Sequence, residues 1–452
     1  MNKIFIETVG CPKNHEDSEK IAGLLKSKGY EIVFQPEDAD IIIVNTCGFI
    51  EDAKRESIDT FFDYVPYKED GKRLIVTGCL TQRYPEELAT ELPEADAILG
   101  VNNYKDLPEI ISGINKKRVN TDGDEGVFSA PRVALAPRHS SYLKIAEGCS
   151  NNCSYCIIPS IRGPYRSVPI ELLLEEAGEL AAEGCKELIL IAQDVTSYGI
   201  DLYGKYALPE LLRKLCDAEN LKSIEWFRLL YCYEERVTDE LIEVMASKRR
   251  ILNYIDIPLQ HISDKMLKSM RRSSSTESIR NTITKLREAM PDIVIRTTFI
   301  TGLPGETEQD FEELYDFIKE IQFDRLGVFV YSPEEGTDAA VMLDQVSTHT
   351  SETRRDIIMQ LGQQISLEKN RSKVGTVQDV IVDEIDSDGS GNEGVYVGRS
   401  CGDAPEIDGS VIFSVPPGGA CGPYDTIGSI VKVRITDAMD YDLIGEQIEG
   451  EG

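Results

Sequence analysis

The sequence contains no apolar run long enough to span a membrane, and its first residues lack the apolar segment of a secretory signal. It also contains neither the G-x-G-x-x-G pattern of dinucleotide-binding folds nor a P-loop. Basic residues are scarce, since 48 Lys and Arg stand against 79 Asp and Glu, for a net charge of −31. Such an excess of acid disfavours binding to nucleic-acid phosphates, and it favours either a basic partner or simple solubility. We therefore expect a cytoplasmic globular protein.

The 11 cysteines do not resemble a disulfide framework, which is typical of small secreted domains rather than of a chain of 452 residues. Three of them, Cys149, Cys153 and Cys156, follow the spacing C-x3-C-x2-C. Three thiolates can ligate three corners of a four-iron cluster and leave the fourth iron open. S-adenosylmethionine can fill that position, and its cleavage there yields a 5'-deoxyadenosyl radical. A zinc knuckle is the alternative, but zinc prefers four protein ligands, and no Cys or His follows at knuckle spacing.

Three more cysteines follow apolar runs in a first predicted domain, residues 1–130: Cys11, Cys47 and Cys79. Helical patterns separate these runs, which predicts a parallel sheet with right-handed crossovers. Because the carboxyl ends of parallel strands share one edge, we expect the three thiols to converge and to ligate a second cluster. For any one of them alone, a small buried side chain is the alternative. Each has a glycine close by in sequence, which would permit close backbone approach to a bulky ligand.

A second predicted domain, residues 135–368, alternates strand and helix patterns about six times. This predicts an open (β/α)6 barrel, shorter than the eight-stranded one, with its active residues at the carboxyl ends of the strands. The candidate contacts to S-adenosylmethionine are Tyr155, Gln193, Arg228, Arg296 and Gly302. The glycine fits a plain strand–helix turn equally well. The two arginines lie within strands, which is costly unless each has a partner. That partner is either a cofactor carboxylate or an acid such as Glu225 or Asp256.

A third predicted domain, residues 370–445, consists of short strands joined by Gly- and Pro-rich turns, a pattern typical of a small antiparallel barrel. From Lys373 to Gly452 there are 4 Lys or Arg and 16 Asp or Glu, a difference of 12. Since phosphate binding needs cations, a basic polypeptide is the expected partner. Glu406 and Asp408, in the segment 403–409, are predicted to supply part of the docking charge.

Several motifs surround the cysteines and the predicted strand ends: Gly10-Cys-Pro-Lys-Asn14, Val44-Asn-Thr-Cys-Gly-Phe-Ile50, Val76-Thr-Gly-Cys79, Cys156-Ile-Ile-Pro-Ser-Ile-Arg-Gly163 and Tyr254-Ile-Asp-Ile-Pro-Leu-Gln-His261. With these motifs the chain resembles the methylthiotransferase family over nearly its full length. The resemblance implies an N-terminal cluster domain, a central radical S-adenosylmethionine barrel and a C-terminal TRAM barrel. It also implies two [4Fe-4S] clusters, S-adenosylmethionine and an external electron donor such as flavodoxin or ferredoxin.

Within that family, Tyr331-Ser-Pro-Glu-Glu-Gly336 and Asp403-Ala-Pro-Glu-Ile-Asp-Gly409 are most similar to the branch that places a methylthio group on the β-carbon of an aspartate in a small-subunit ribosomal protein. A tRNA adenosine methylthiotransferase with the same two clusters is the first alternative. A non-catalytic iron–sulfur electron carrier is the second, although it would need neither an open iron nor the barrel.

Two segments depart from the family pattern. The segment 229–235, Leu-Leu-Tyr-Cys-Tyr-Glu-Glu, replaces a stretch that is usually richer in proline and histidine. Gln193-Asp194 stands where many radical enzymes carry Gly-Gly-Glu, which leaves the contact to the cofactor amine open.

Overall fold

The computed structural model describes residues 2–113, 118–123, 129–386, 395–415 and 427–448. They form two six-stranded sheets, a closed five-stranded barrel and a two-stranded ribbon. Within these ranges, no helix combines the length and the apolar character that crossing a membrane requires.

The first sheet is wholly parallel, as predicted, and has the order β2-β1-β3-β4-β5-β6. Its strands are β1 Lys3–Thr8, β2 Glu31–Ile32, β3 Ile41–Thr46, β4 Arg73–Gly78, β5 Ala97–Gly100 and β6 Val119–Asn120. Its helices are α1 Pro12–Ser27, α2 Glu51–Tyr64, α3 Cys79–Arg83, α4 Pro85–Glu91 and α5 Leu107–Ile111. All of β3 is buried, as expected of a central parallel strand. Helix α1 begins directly after Cys11, because Pro12 suits the first helical position.

The second sheet is an open parallel barrel with the six predicted strands in chain order, β7-β10-β11-β12-β13-β14. The strands of this region are β7 Ser140–Lys144, β8 Ala146–Glu147, β9 Arg166–Ser167, β10 Glu187–Ile191, β11 Trp226–Leu229, β12 Ile251–Asp256, β13 Val294–Thr301 and β14 Arg325–Val330. Its helices are α6 Ile158–Arg162, α7 Ile170–Ala182, α8 Ile200–Tyr203, α9 Leu208–Asp217, α10 Asp239–Ser247, α11 Asp264–Ser269, α12 Thr276–Ala289, α13 Glu308–Ile321 and α14 Thr348–Ser372. The helices pack on one face of the sheet and bury its alternate residues.

The third sheet closes into a barrel of order β15-β16-β17-β19-β18. Its strands are β15 Val377–Asp386, β16 Val395–Ser400, β17 Val411–Ser414, β18 Ile430–Ala438 and β19 Leu443–Gln447. The pairing is antiparallel except between β17 and β19, which run parallel and close the barrel. Sequence reasoning missed β19, which is short and contains a glycine. Gly394, predicted to begin a strand, lies outside the described residues.

The third domain covers the face of the open barrel opposite its helices. Ile381 and Ala404 of the third domain share a buried cluster with Ile189, Leu230 and Tyr254 of the open barrel. We call this contact the seam. Because it buries strand residues that would otherwise face water, it joins the two domains into one folded body.

Buried charges reinforce the seam. Asp403 pairs with Arg325, and Asp408 accepts a hydrogen bond from the hydroxyl of Tyr254 at 2.6 Å and lies 3.4 Å from Arg296. The side chain of Asp408 is only 1% exposed. The prediction that Asp408 supplies docking charge is therefore wrong, because this carboxylate neutralises arginines of the neighbouring domain. Glu406, by contrast, is exposed.

Candidate active site

The cysteines of the first sheet lie together at its carboxyl edge. Cys11 follows β1, Cys47 follows β3, and Cys79 begins α3 directly after β4. These three strands are neighbours in the sheet, so parallel topology alone brings the thiols together. Cys47 and Cys79 are buried and Cys11 is partly buried. Their role as metal ligands stays a prediction.

The glycines beside these cysteines let the strand-end loops pack on one another. A Cβ on Gly10, where φ is +108°, would lie 2.8 Å from the Cβ of Cys47. A Cβ on Gly48 would lie 2.7 Å from the Cα of Leu80. The glycines were predicted to let the backbone approach a ligand closely. In the structure they let the strand-end loops approach one another, which brings the thiols together.

The buried thiols of the first set favour the neutral form. Burial, followed by the neighbouring Cys79 and Cys11, raises the pKa of the Cys47 thiol to about 12. Burial also raises the pKa of Cys79, although Arg162 opposes the rise. Metals bind the thiolate, so cluster binding here would release protons and relieve the repulsion among the thiolates.

The second cysteine set lies on the loop that follows β7 and β8. The amide of Cys149 donates to the carbonyl of Gly163, and the amide of Cys156 donates to that of Cys153, both at 3.1 Å. Burial raises the pKa of Cys149 to about 11 and that of Cys156 to about 12. These backbone bonds shape the loop that carries the three thiols.

Across the described ranges, no three His, Cys, Asp or Glu side chains lie close enough together to hold a lone metal ion. A single zinc draws all its thiolates to about 2.3 Å from one point. A cluster instead offers each thiolate a different iron. Each set offers three thiolates, which suits a cluster with one open iron better than a four-coordinate zinc.

Arg162 joins the two cysteine sets. It ends α6, which directly follows the second set, and its Nε donates to the Sγ of Cys79 at 3.2 Å. Its Nη1 donates to Asp17 at 2.7 Å and to Glu147 at 3.1 Å, and its Nη2 donates to Asn14 at 2.6 Å. One fully buried guanidinium therefore contacts the first set and the beginning of the loop that carries the second.

A buried group of charges surrounds this arginine at the contact between the first and second domains. Lys144, on β7, reaches Glu16 at 3.0 Å and Glu147 at 2.8 Å, and it also pairs with Asp17. Burial opposes the charged form of Glu147, yet Arg162 and Lys144 hold the pKa of Glu147 well below its usual value. The pairs fix how the first domain sits on the open barrel.

Two of the predicted cofactor contacts, Gln193 and Tyr155, lie beside the second cysteine set. The Nε2 of Gln193 donates to Glu147 at 3.0 Å, while its Oε1 is buried without a hydrogen-bond partner in the described structure. Tyr155 packs near Met266 and Met270, and burial followed by Cys153 raises the pKa of Tyr155 well above its usual value.

Sequence reasoning missed Arg272. This side chain is buried, lies 4.3 Å above the ring of Tyr233, and neighbours Tyr155 and Cys153. None of its three nitrogens meets a hydrogen-bond acceptor with good geometry within the described residues. Arg272 follows α11 in a loop without a motif, so only the fold could place it near the cysteines.

Arg228 and Arg296 lie at the seam. Arg228 donates to Glu187 at 2.7 Å and to the carbonyl of Cys401 at 2.9 Å. Its acidic partner is thus Glu187 and not Glu225. Arg296 donates to Asp256 at 2.9 Å, as one of the alternatives foresaw. Their roles in cofactor binding stay predictions, but protein groups already neutralise both guanidinium groups.

Gly302 packs against helix α14. A Cβ on Gly302, where φ is +82°, would lie 1.8 Å from the Oγ of Ser351. Because Gly302 lacks a side chain, helix α14 can pack closely against it. The contact between Gly302 and the cofactor stays a prediction.

The family models match all three parts of the chain. Residues 143–318 match the radical SAM superfamily, residues 374–448 match the TRAM domain, and residues 3–100 match the uncharacterized protein family UPF0004. The open parallel barrel and its three-cysteine loop, together with the first of these matches, define a radical S-adenosylmethionine enzyme.

Solved structures share this fold at low sequence identity. The radical S-adenosylmethionine methyltransferase TsrM from Kitasatospora setae, with cobalamin and a [4Fe-4S] cluster bound, has a TM-score of 0.58 at 13% identity, over 84% of this chain and 80% of that chain. The cobalamin-dependent radical enzyme OxsB, with aqua-cobalamin and S-adenosylmethionine bound, has a TM-score of 0.54 at 12% identity, over 81% of this chain and 62% of that chain.

Curated relatives match over almost the whole length. The ribosomal protein uS12 methylthiotransferase RimO of Caldanaerobacter subterraneus subsp. tengcongensis is 48% identical over 99% of this chain and 100% of its own. RimO of Clostridioides difficile is 46% identical over 99% of both chains. The chain belongs to the RimO family of methylthiotransferases.

Proposed function

We propose that this protein transfers a methylthio group to the β-carbon of an aspartate in ribosomal protein uS12. The observation that carries the proposal is Arg162, whose buried guanidinium contacts Cys79 of the first set and Glu147 at the beginning of the loop that carries the second. A carbon radical must meet its sulfur before it meets anything else, so the two reacting centres must be held close together. The names of the RimO relatives supply the substrate protein.

The residues present fit two [4Fe-4S] clusters and S-adenosylmethionine. Under the proposal, Cys11, Cys47 and Cys79 hold one cluster, and Cys149, Cys153 and Cys156 hold the other. The unpaired Oε1 of Gln193 suits the cofactor amine, and the guanidinium of Arg272, whose nitrogens meet no acceptor with good geometry in the described structure, suits its carboxylate. When bound, the cofactor and its cluster supply the radical chemistry that removes hydrogen from the substrate carbon.

The chain's own groups position the reactants and exclude water. Lys144 and Arg162 neutralise the carboxylates at the contact between the domains, so the first domain stays fixed against the open barrel. Tyr155 and Tyr233 cover Cys153 with aromatic surface. A dry site protects a carbon radical from solvent reductants.

A cavity of about 750 Å³ lies where the three domains meet and supports entry of a basic protein. Its lining includes the carboxylates of Glu7, Glu384 and Glu406 and the ring of Tyr142. Burial, followed by Glu406, raises the pKa of Tyr142, so this ring neighbours the acidic rim. The acidic rim on the third domain is the proposed docking surface for uS12.

The proposal also contains the domain division 1–130, 135–368 and 370–445, a cytoplasmic location and an external electron donor such as flavodoxin or ferredoxin. The three family matches fall within or close to these divisions and support them.

Anaerobic reconstitution followed by mass spectrometry tests the function. The protein is supplied with iron, sulfide, reductant and S-adenosylmethionine and is incubated with uS12 or with tRNA. The expected result is uS12 in which one methylthio group replaces a hydrogen of an aspartate. Modified tRNA together with unmodified uS12 would overturn the proposal in favour of the tRNA alternative.

A further inference from the structure

Lys13 is a buried lysine without an acidic partner among the described residues. Only 7% of the surface of Lys13 is exposed. Among the described residues, its ammonium forms neither an ion pair nor a hydrogen bond. Its Nζ instead lies 3.3 Å from the centre of the Tyr231 ring. Burying an ammonium costs several kcal/mol unless an anion compensates it. A lysine in this position suits a negatively charged ligand.

The acids that act electrostatically on Lys13 already have other partners. Asp256 accepts from Arg296 at 2.9 Å and from the amide of Tyr231 at 3.0 Å. Glu147 accepts from Lys144 and Arg162. The positive charge of Lys13 is therefore available to a carboxylate that arrives from outside.

Lys13 lies on the side of the site that belongs to the first cysteine set. It follows Cys11 by two residues, and Cys11, Arg162, Glu147 and Asp256 are the charged groups that act on it.

Tyr231 holds the lysine in this position. This tyrosine follows β11 with φ of +63°, a left-handed conformation that is rare for an aromatic residue and costs of order 1–3 kcal/mol. It belongs to the segment 229–235, which departs from the family pattern. The strained backbone presents the ring across the contact between the domains, beneath the ammonium.

We propose that Lys13 binds the side-chain carboxylate of the target aspartate and so selects aspartate over a neutral residue. The inference rests on the proposed function. The β-carbon that reacts is bonded directly to this carboxylate. An ammonium beside Cys11 therefore fixes that carbon next to the first cysteine set, where the sulfur is to be added. Lys13 is a specificity-determining residue in this scheme.

A double-mutant cycle tests the contact. The binding of labelled uS12 is measured anaerobically by fluorescence anisotropy, with the target residue, located by mass spectrometry, as Asp or as Asn. For the wild type, Asp→Asn in the substrate should weaken binding by about 10- to 100-fold, as expected for a charge-assisted hydrogen bond. For Lys13→Met the same change in uS12 should have almost no effect, because the two groups are coupled.

Companion variants and iron analysis exclude a general structural effect. Lys13→Arg keeps the cation and should retain part of the preference for aspartate, whereas neutral Lys13→Gln should lose it. Lys26→Met, at an exposed position of the same helix, should retain it fully. Each variant is reconstituted and its iron content measured, so that loss of a cluster is recognised.

Two failures are distinguishable. If the wild type discriminates Asp from Asn and Lys13→Met and Lys13→Gln discriminate equally well, the contact to Lys13 is refuted and the proposed function survives. If the wild type neither modifies uS12 nor prefers aspartate, the proposed function falls and the inference falls with it.

Discussion

At the scale of single residues, Arg162 connects the first cysteine set with the loop that carries the second. Its guanidinium is buried and donates to two carboxylates, one amide oxygen and one thiol. The planar fork of arginine suits several acceptors at once, which a lysine ammonium cannot match. The sequence placed Arg162 in a family motif but could not assign it a partner, because its partners are up to 148 residues away.

Substitution of Arg162 should destabilise the contact between the first and second domains. Arg162→Leu leaves Asp17 and Glu147 with one cation fewer in a buried site, at a cost of about 3 kcal/mol. The midpoint of thermal unfolding should fall clearly, and Arg162→Lys should restore only part of it. The control Arg55→Leu, at a side chain that is 72% exposed, should change stability by less than about 0.5 kcal/mol. Equal midpoints for Arg162→Leu and Arg55→Leu would contradict the assigned role.

The two cysteine sets should fail in different ways. Cys153→Ala should abolish formation of 5'-deoxyadenosine, whereas Cys47→Ala should still form it without transferring a methylthio group. Chromatography of the nucleoside and mass spectrometry of uS12 measure the two activities separately. Cys216→Ala, at a partly buried position on α9 outside both sets, should retain both activities. A Cys47→Ala enzyme that still modifies uS12 would show that the first set does not carry the sulfur.

At the scale of secondary-structure elements, the strands were predictable and the seam was not. Alternating strand and helix patterns predicted both parallel sheets, and parallel topology placed Cys11, Cys47 and Cys79 at strand ends. The segment 403–408 looked like an acidic surface loop, yet its two aspartates are buried against arginines of the open barrel. The charge of a residue does not tell whether its side chain is buried or which group it pairs with. Composition therefore predicts interfaces between domains poorly.

The seam should weaken in acid. Burial opposes ionisation of Glu187, but Arg399 and Arg228 lower its pKa from 4.5 to about 2. A carboxylate with a depressed pKa in the folded state contributes stability that is present above the unfolded value and is lost as pH falls through the folded value. Thermal midpoints should therefore decline between about pH 4.5 and pH 2 more steeply in the wild type than in Glu187→Gln. Glu187→Gln should also be less stable at neutral pH, since it leaves two buried arginines short of an anion. Parallel pH profiles for the two proteins would count against the role of Glu187.

At the scale of the whole molecule, the net charge of −31 attracts a basic partner over long distances. Exposed charges are screened over about 8 Å at physiological ionic strength, so they chiefly affect the rate of association and the choice of partner. The acids that rim the cavity, Glu384 and Glu406, are exposed and belong to the third domain. Point substitutions there test docking more cleanly than deletion of the domain, which would strip the buried arginines of their partners.

Reversing the rim charges should slow the capture of uS12. Glu384→Lys combined with Glu406→Lys should lower the association rate by about tenfold at low salt and reduce its salt dependence. Stopped-flow binding at two salt concentrations measures both quantities. The control pair Glu86→Lys and Glu87→Lys changes the net charge equally, on exposed positions of α4 that do not line the cavity, and should have a smaller effect. Identical association rates for the two double variants would show that the acidic residues serve solubility and not docking.

The seam also has a consequence for folding during synthesis. Synthesis runs from the first domain to the third, and the open barrel is complete by α14, well before residues 399–408 leave the ribosome. Until then Arg228, Arg296 and Arg325 lack the carbonyl and the carboxylates that the third domain supplies to them. The newly made barrel therefore lacks these partners while the segment between α14 and residue 408 is synthesised, and chains interrupted before the last strands are expected to be substrates for proteolysis. The buried charges of the seam thus tie the stability of the barrel to completion of the chain.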